Sequence, residues 1–169
     1  MQRILGIDPG SNVTGYGLIE SDGRSSHCVA SGCIRVKGDG LPERLGYIFE
    51  AVSALVADHA PEQMAIEAVF VSRNAASALK LGQARGAAIL AGVQAGLPVC
   101  EYSPREVKQA VVGTGAATKD QVGHMVRMLL KLTDGLAADA SDALAIALCH
   151  AHSQHTRALV GAAYGRRRR

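Results

Sequence analysis

An α/β domain built on a mixed, five-stranded sheet flanked by helices is the fold class this sequence predicts. Three observations predict it. The first 36 residues carry three short apolar runs separated by turn residues. After residue 36 the pattern changes, and single strands alternate with helices. The chain has 169 residues, 48% of them hydrophobic, which suits one core or at most two small domains. Charged residues at 20% exclude a disordered chain. No apolar run reaches the ~18 residues that a membrane helix needs. The opening MQRILGIDPG lacks the pattern of a secretory leader. A soluble, cytoplasmic protein is expected.

Residues 2–8 form an apolar run of strand length that ends at the Pro9-Gly10 turn. Residues 14–20 and 27–36 read as the second and third strands, joined by a Ser/Asp/Gly turn at 21–26, so the three form an antiparallel meander. Residues 41–59 place Leu45, Ile48, Phe49, Val52, Leu55 and Val56 at helical spacing, with Pro42 near the start and Pro61 beyond the end. A fourth strand at 64–70, a long Ala/Gly/Leu helix at 74–95 and a fifth strand at 97–102 follow. Helices are predicted at 104–112, 118–132 and 139–153. Strands separated by helices pair in parallel, so the sheet is mixed.

Charge is uneven along the chain. Residues 1–69 carry a net −4 and residues 70–169 a net +7, four of those positive charges lying in the terminal run 166–169. A basic second half favours a phosphate-bearing partner. Cys28, Cys33, Cys100 and Cys149 match no zinc or disulfide spacing and read as reduced core residues. His150, His152 and His155 lack a Cys or acid to complete a metal site and read as surface or tail histidines.

Four carboxylates stand where their residue types are unexpected. Asp8 ends the buried run Ile4-Leu5-Gly6-Ile7, where an isolated carboxylate is costly. Capping the Pro9-Gly10 turn is its structural alternative. Glu67 interrupts a strand with no turn beside it, and a solvated edge strand would also explain it. Asp139 and Asp142 are three apart at the start of ADASDALAIALCH, on one helical face, where they suit the helix dipole or a metal equally. Together, two strand-end acids and a helical D-x-x-D offer hard oxygen ligands suited to Mg2+ or Mn2+. Two such ions would serve an in-line phosphoryl displacement.

At this point the sequence resembles a known family. ILGIDPGSNVTGYGLIE at 4–20, AIEAVF at 65–70, SALKLGQARG at 77–86, VKQAVVGTGAATKDQV at 107–122 and ADASDALAIA at 138–147 look like the RuvC-type Holliday junction resolvases of bacteria. The resemblance covers about residues 2–153. It implies a ribonuclease H-like fold, and a nuclease domain is expected over 1–155; the basic stretch 156–169 lies beyond the resemblance and reads as a disordered tail. The resemblance implies that Asp8, Glu67, Asp139 and Asp142 are the catalytic metal ligands for Mg2+, with Mn2+ as a substitute. It further implies two ions per site, a homodimer formed through helix 74–95, cleavage of four-way DNA junctions to 5′-phosphate and 3′-hydroxyl ends, and work beside the RuvA–RuvB branch-migration complex.

Residues for DNA contact follow. Phe70, leaving a strand for the polar segment 71–74, is a candidate wedge against an unpaired base. Arg73, Asn74 and Lys80 lie next along the same stretch and are assigned to DNA. Lys108 and Lys119 flank the glycine-rich segment 112–118 and are assigned both to phosphate contact and to catalysis, stabilising charge on the reacting phosphate. That segment lacks the G-x4-G-K-[ST] spacing of a nucleotide loop. Two rivals remain: a sugar-kinase-type phosphotransferase, suggested by DPGSNVTG but needing a second domain, and a non-catalytic junction binder.

Overall fold

A computed structural model of the chain describes residues 1–69, 74–133 and 135–166, with side chains through Arg157. The expected wedge Phe70, the expected contact Arg73 and the arginines at 167–169 lie outside the described residues. The elements follow in the predicted order: β1 (Gln2–Asp8), β2 (Val13–Ser21), β3 (Ser26–Arg35), α1 (Leu41–His59), β4 (Gln63–Glu67), α2 (Ala75–Gln94), β5 (Val99–Tyr102), α3 (Pro104–Val112), α4 (Lys119–Leu130) and α5 (Ala138–Arg166). The sheet order is β3-β2-β1-β4-β5. The meander is antiparallel, and β4 joins β1 and β5 in parallel.

Side chains alternate between two cores, as the two-residue period of a strand requires. Leu5, Ile7, Leu18, Met64 and Ile66 pack on α1 and α2. Ile4, Ile19 and Ala65 pack on α3, α4 and α5. Helix α5 lies close against the sheet because β1 and β2 offer it glycines. A Cβ at Gly6 would run into the Ala143 carbonyl, and one at Gly15 into the Asp139 carbonyl. Helices α3 and α4 both open on capping boxes, Ser103 with Glu106 and Thr118 with Gln121.

Three expectations change. Helix α5 runs to Arg166 rather than ending near 153, so the expected boundary at 155 falls within it. No proline interrupts 139–166, and Ala158, Ala162 and Ala163 favour helix. Of the cysteines only Cys149 is buried; the other three are half-buried free thiols. His150 is buried in the core at 1% exposure, not on the surface.

Candidate active site

Strand register builds half of the site. Ile7 pairs with Ile66 across the parallel β1–β4 ladder, so Asp8 and Glu67 leave the sheet at the same edge, one step further on. The two-residue period turns both toward α5, together with Gly6, Ala65 and Gln63. Helix α5 supplies the other half. Asp8 stands opposite Gly15 in the β1–β2 ladder, and the backbone of Asp139 passes over Gly15. Asp142 follows three residues later.

Asp8, Glu67, Asp142, Lys108 and Lys119 line one cavity of about 260 Å³. Val107, Val122 and Ile146 give it an apolar wall. Asp139 is outside that lining, yet its charge acts on Asp8. Burial first, and then the charges of Glu67, Asp142 and Asp139, together raise the Asp8 pKa from 3.8 to about 7 against the opposing pull of Lys119. Glu67 is also raised, first by burial and then by Asp142, while Lys119 and Lys108 oppose. Lys119, in the first turn of α4, donates from Nζ to Asp142 Oδ2 at 3.0 Å. That bond holds the lysine's own pKa up.

As the side chains stand, no group of three or more His, Cys, Asp or Glu among the described residues is placed to hold a metal ion. The donor chemistry nevertheless fits a hard divalent cation. All four candidate ligands are carboxylates, and Asp8 is held above the normal range by burial and like charge, which a cation would relieve. The Lys119 ammonium already supplies positive charge to one of them.

Other assigned residues lie apart. Asn74 caps α2, its Oδ1 accepting from the Ser77 N–H at 3.1 Å. Lys80 lines a different cavity, on the α1/α2 side of the sheet. His150, His152 and His155 form no metal group among the described residues: His150 bonds to Tyr102 and Gln63, and His152 Nδ1 donates to the Ala110 carbonyl at 3.1 Å.

Two positioning residues were missed in the sequence. Arg85 reaches inward from α2, donates from Nε to the Glu67 carbonyl at 2.8 Å and pairs with Glu101. It fixes the end of β4. Arg44 of α1 donates to the Ser11 carbonyl and to Asn12 Oδ1, fixing the turn that follows Asp8. Nothing local distinguishes either arginine from a solvated helical cation.

Comparison with known proteins bears on this arrangement directly. Residues 4–150 match the family model described as crossover junction endodeoxyribonuclease RuvC. The chain belongs to the RuvC family. A RuvC protein of Alkalilimnicola ehrlichii is 61% identical over 152 residues, 90% of this chain and 92% of the relative. One from Halorhodospira halophila is 57% identical over 169 residues, 99% of this chain and all of the relative. The structure of Thermus thermophilus RuvC in complex with Holliday junction substrate superposes with a TM-score of 0.87 at 34% identity, covering 92% of this chain and 96% of that one. The fold is therefore the ribonuclease H-like fold of the RuvC family, as the sequence resemblance implied.

Proposed function

We propose that this RuvC-family chain is a metal-dependent endonuclease that resolves four-way DNA junctions by paired hydrolysis of opposed strands, leaving 5′-phosphate and 3′-hydroxyl ends. The observation that carries this reading is Asp8, a half-buried carboxylate gathered with three others at one sheet edge and pushed up to about 7. Asp8, Glu67, Asp139 and Asp142 would together hold two Mg2+ or Mn2+ ions. Bound ions would supply an activated water and stabilise charge on the leaving oxygen.

The chain's own residues do the rest. Asp8 must release its carboxyl proton before it serves as a ligand. Lys119 must let go of Asp142 Oδ2, and its ammonium is then available to the charge that grows on the reacting phosphate. Lys108 contributes charge from the first turns of α3. The apolar wall and partial burial desolvate Asp8 and Glu67, so charges near these two acids act on them strongly. Phe70 and the following 71–74 segment would act as the wedge at the branch point.

Paired nicks call for two copies. Helix α2 leaves Leu79, Leu90 and Val93 exposed at 65, 50 and 55%, on a face where a Cβ at Gly82 or Gly86 would meet nothing among the described residues. We assign this face to a second copy. Gly86→Leu should weaken the dimer by roughly 1–3 kcal/mol, read by sedimentation equilibrium; a wild type that is monomeric at micromolar concentration counts against the assignment. Work beside a RuvA–RuvB complex is part of the same proposal.

The deciding experiment incubates the chain with a synthetic four-way junction in EDTA, Mg2+ or Mn2+. Symmetric nicks with either metal and none in EDTA support the reading. Tight binding without cleavage under every condition would leave a junction-binding protein instead.

A further inference from the structure

A second cavity opens beside the same sheet edge, on the opposite face of the sheet from the carboxylates. It has a volume of about 560 Å³ and lies between the β1–β2 turn, the start of α1 and the first turns of α2. Its charged residues are Arg44, Lys80 and Asp39, a net positive set, and Ser11 and Ser77 add hydroxyls. The start of α1 also lines it, through Gly40 and Leu41, with the Glu43 carboxylate close over Gly40. Arg44 is held in place by the Ser11 carbonyl and by Asn12 Oδ1, the latter at 2.6 Å. Lys80 has no hydrogen-bond or ion-pair partner among the described residues. Two cations and two hydroxyls in one cavity are the donor set of an anion site.

Its position says which anion. Ser11 is three residues beyond Asp8, so the cavity wall begins within about 11 Å of the acid cluster by chain reach alone. A DNA strand carries a phosphate for about every 3.4 Å of helix axis, so a strand lying over the sheet edge would bring a phosphate here within about three positions of the one being cut.

We propose that this cavity binds the phosphodiester backbone of the cleaved strand, within about three phosphates of the scissile one. The proposal rests on the junction-nuclease reading above. Arg44 serves as a fixed donor, Lys80 as the adjustable charge, and Asp39 sets an opposing charge that limits affinity.

The test measures junction affinity of the full chain in EDTA as a function of salt, for wild type, Lys80→Gln and Asp39→Asn. Both positions are exposed, so neither variant threatens the fold. Lys80→Gln should flatten the log-log salt slope by about 0.9, so that the wild-type advantage shrinks about 3.5-fold between about 50 and 200 mM salt. Asp39→Asn should tighten binding. Junctions with single methylphosphonate substitutions should then reveal one position, near the scissile phosphate, that weakens wild type but not Lys80→Gln.

Equal slopes for wild type and Lys80→Gln, or no phosphate coupled to Lys80, overturn the proposal while leaving the nuclease reading intact. A wild type with no preference for junctions overturns that reading, and the cavity assignment with it. Competition by inorganic phosphate beyond that of chloride at equal ionic strength, lost in Lys80→Gln, would make the cavity a free-anion pocket and also overturn it.

Discussion

Strand β4 meets helix α5 at two polar ends, and the two are built on opposite terms. At the start of the strand, Gln63 faces His150. Tyr102 donates its hydroxyl to His150 Nδ1 at 2.8 Å, His150 Nε2 donates to Gln63 Oε1, and Gln154 donates to the same oxygen. Burial lowers the His150 pKa to about 4, so the ring stays neutral and both nitrogens are used. At the end of the strand, Glu67 faces Asp142 with Asp8 and Asp139 beside it, and the ion pair among these acids, for the described residues, is the one with Lys119. Strand, helix and two-residue period are shared; Ala65 simply lies between. The fold can satisfy buried polar groups on this interface, so the unbalanced charge at one end is not a defect of packing. It marks the end where the proposed metal site would take its cation.

Asp8→Asn breaks the contrast most severely. It should reduce junction cleavage by more than about 10³-fold, because it removes a ligand and its charge, while junction affinity stays equal or improves. The same variant should be more stable than wild type without metal at pH 8, by up to a few kcal/mol, since a rise from 3.8 to about 7 reflects the cost of charging Asp8 in the folded state. Single-turnover cleavage and chemical denaturation measure the two. A variant that loses both folding and binding would make Asp8 a structural cap.

The two ends were unequally legible in the sequence. The acids announced themselves because Asp8 and Glu67 break apolar runs and Asp139 and Asp142 share a helical spacing. Their register also followed from the alternation of strands and helices. His150 was misread because its partners are 48 and 87 residues away, and a histidine near the end of a helix carries no local sign of burial. Arg85 and Arg44 were missed for the same reason: their acceptors are backbone carbonyls and side chains brought near by the fold. The end of α5 was set too early because a tail rich in arginine reads as solvated, whereas its alanines favour helix.

His150→Phe tests the satisfied end and should have the next largest effect. It leaves the buried Tyr102 hydroxyl without its acceptor and Gln63 with only Gln154. The expected cost is about 2–3 kcal/mol, or roughly 4–12 °C in Tm. The pH dependence of metal-free stability sharpens the contrast, because the two ends have opposite signs. Asp8, with its folded pKa raised, stabilises below about 4 and loses that contribution as pH rises to about 7. His150, with its folded pKa lowered, stabilises above 6.5 and loses that contribution as pH falls to about 4. In wild type the two slopes oppose each other. Asp8→Asn should expose stability that rises from pH 4 to 6.5, and His150→Phe stability that falls from pH 4 to 7. Identical profiles for the two variants would show that neither end titrates as placed.

The smallest change in stability should come from Lys119→Gln, although it removes the cation that, among the described residues, is bonded to the acid end. The Lys119 side chain is 83% exposed against 28% for Asp142, and exposed pairs of this kind contribute about 0–1 kcal/mol. A structural partner would behave like His150, whose loss leaves buried groups unpaired. A stand-in for a metal ion would not. Removing it frees Asp142 Oδ2, so Mg2+ or Mn2+ should bind the metal-free protein as tightly as before or more tightly. Cleavage should still fall, because the positive charge near the reacting phosphate is gone. Denaturation together with calorimetric metal titration separates the cases. A loss of several kcal/mol with weakened metal binding would show that Lys119 satisfies the acid end structurally, and the difference between the two ends of β4 would then disappear.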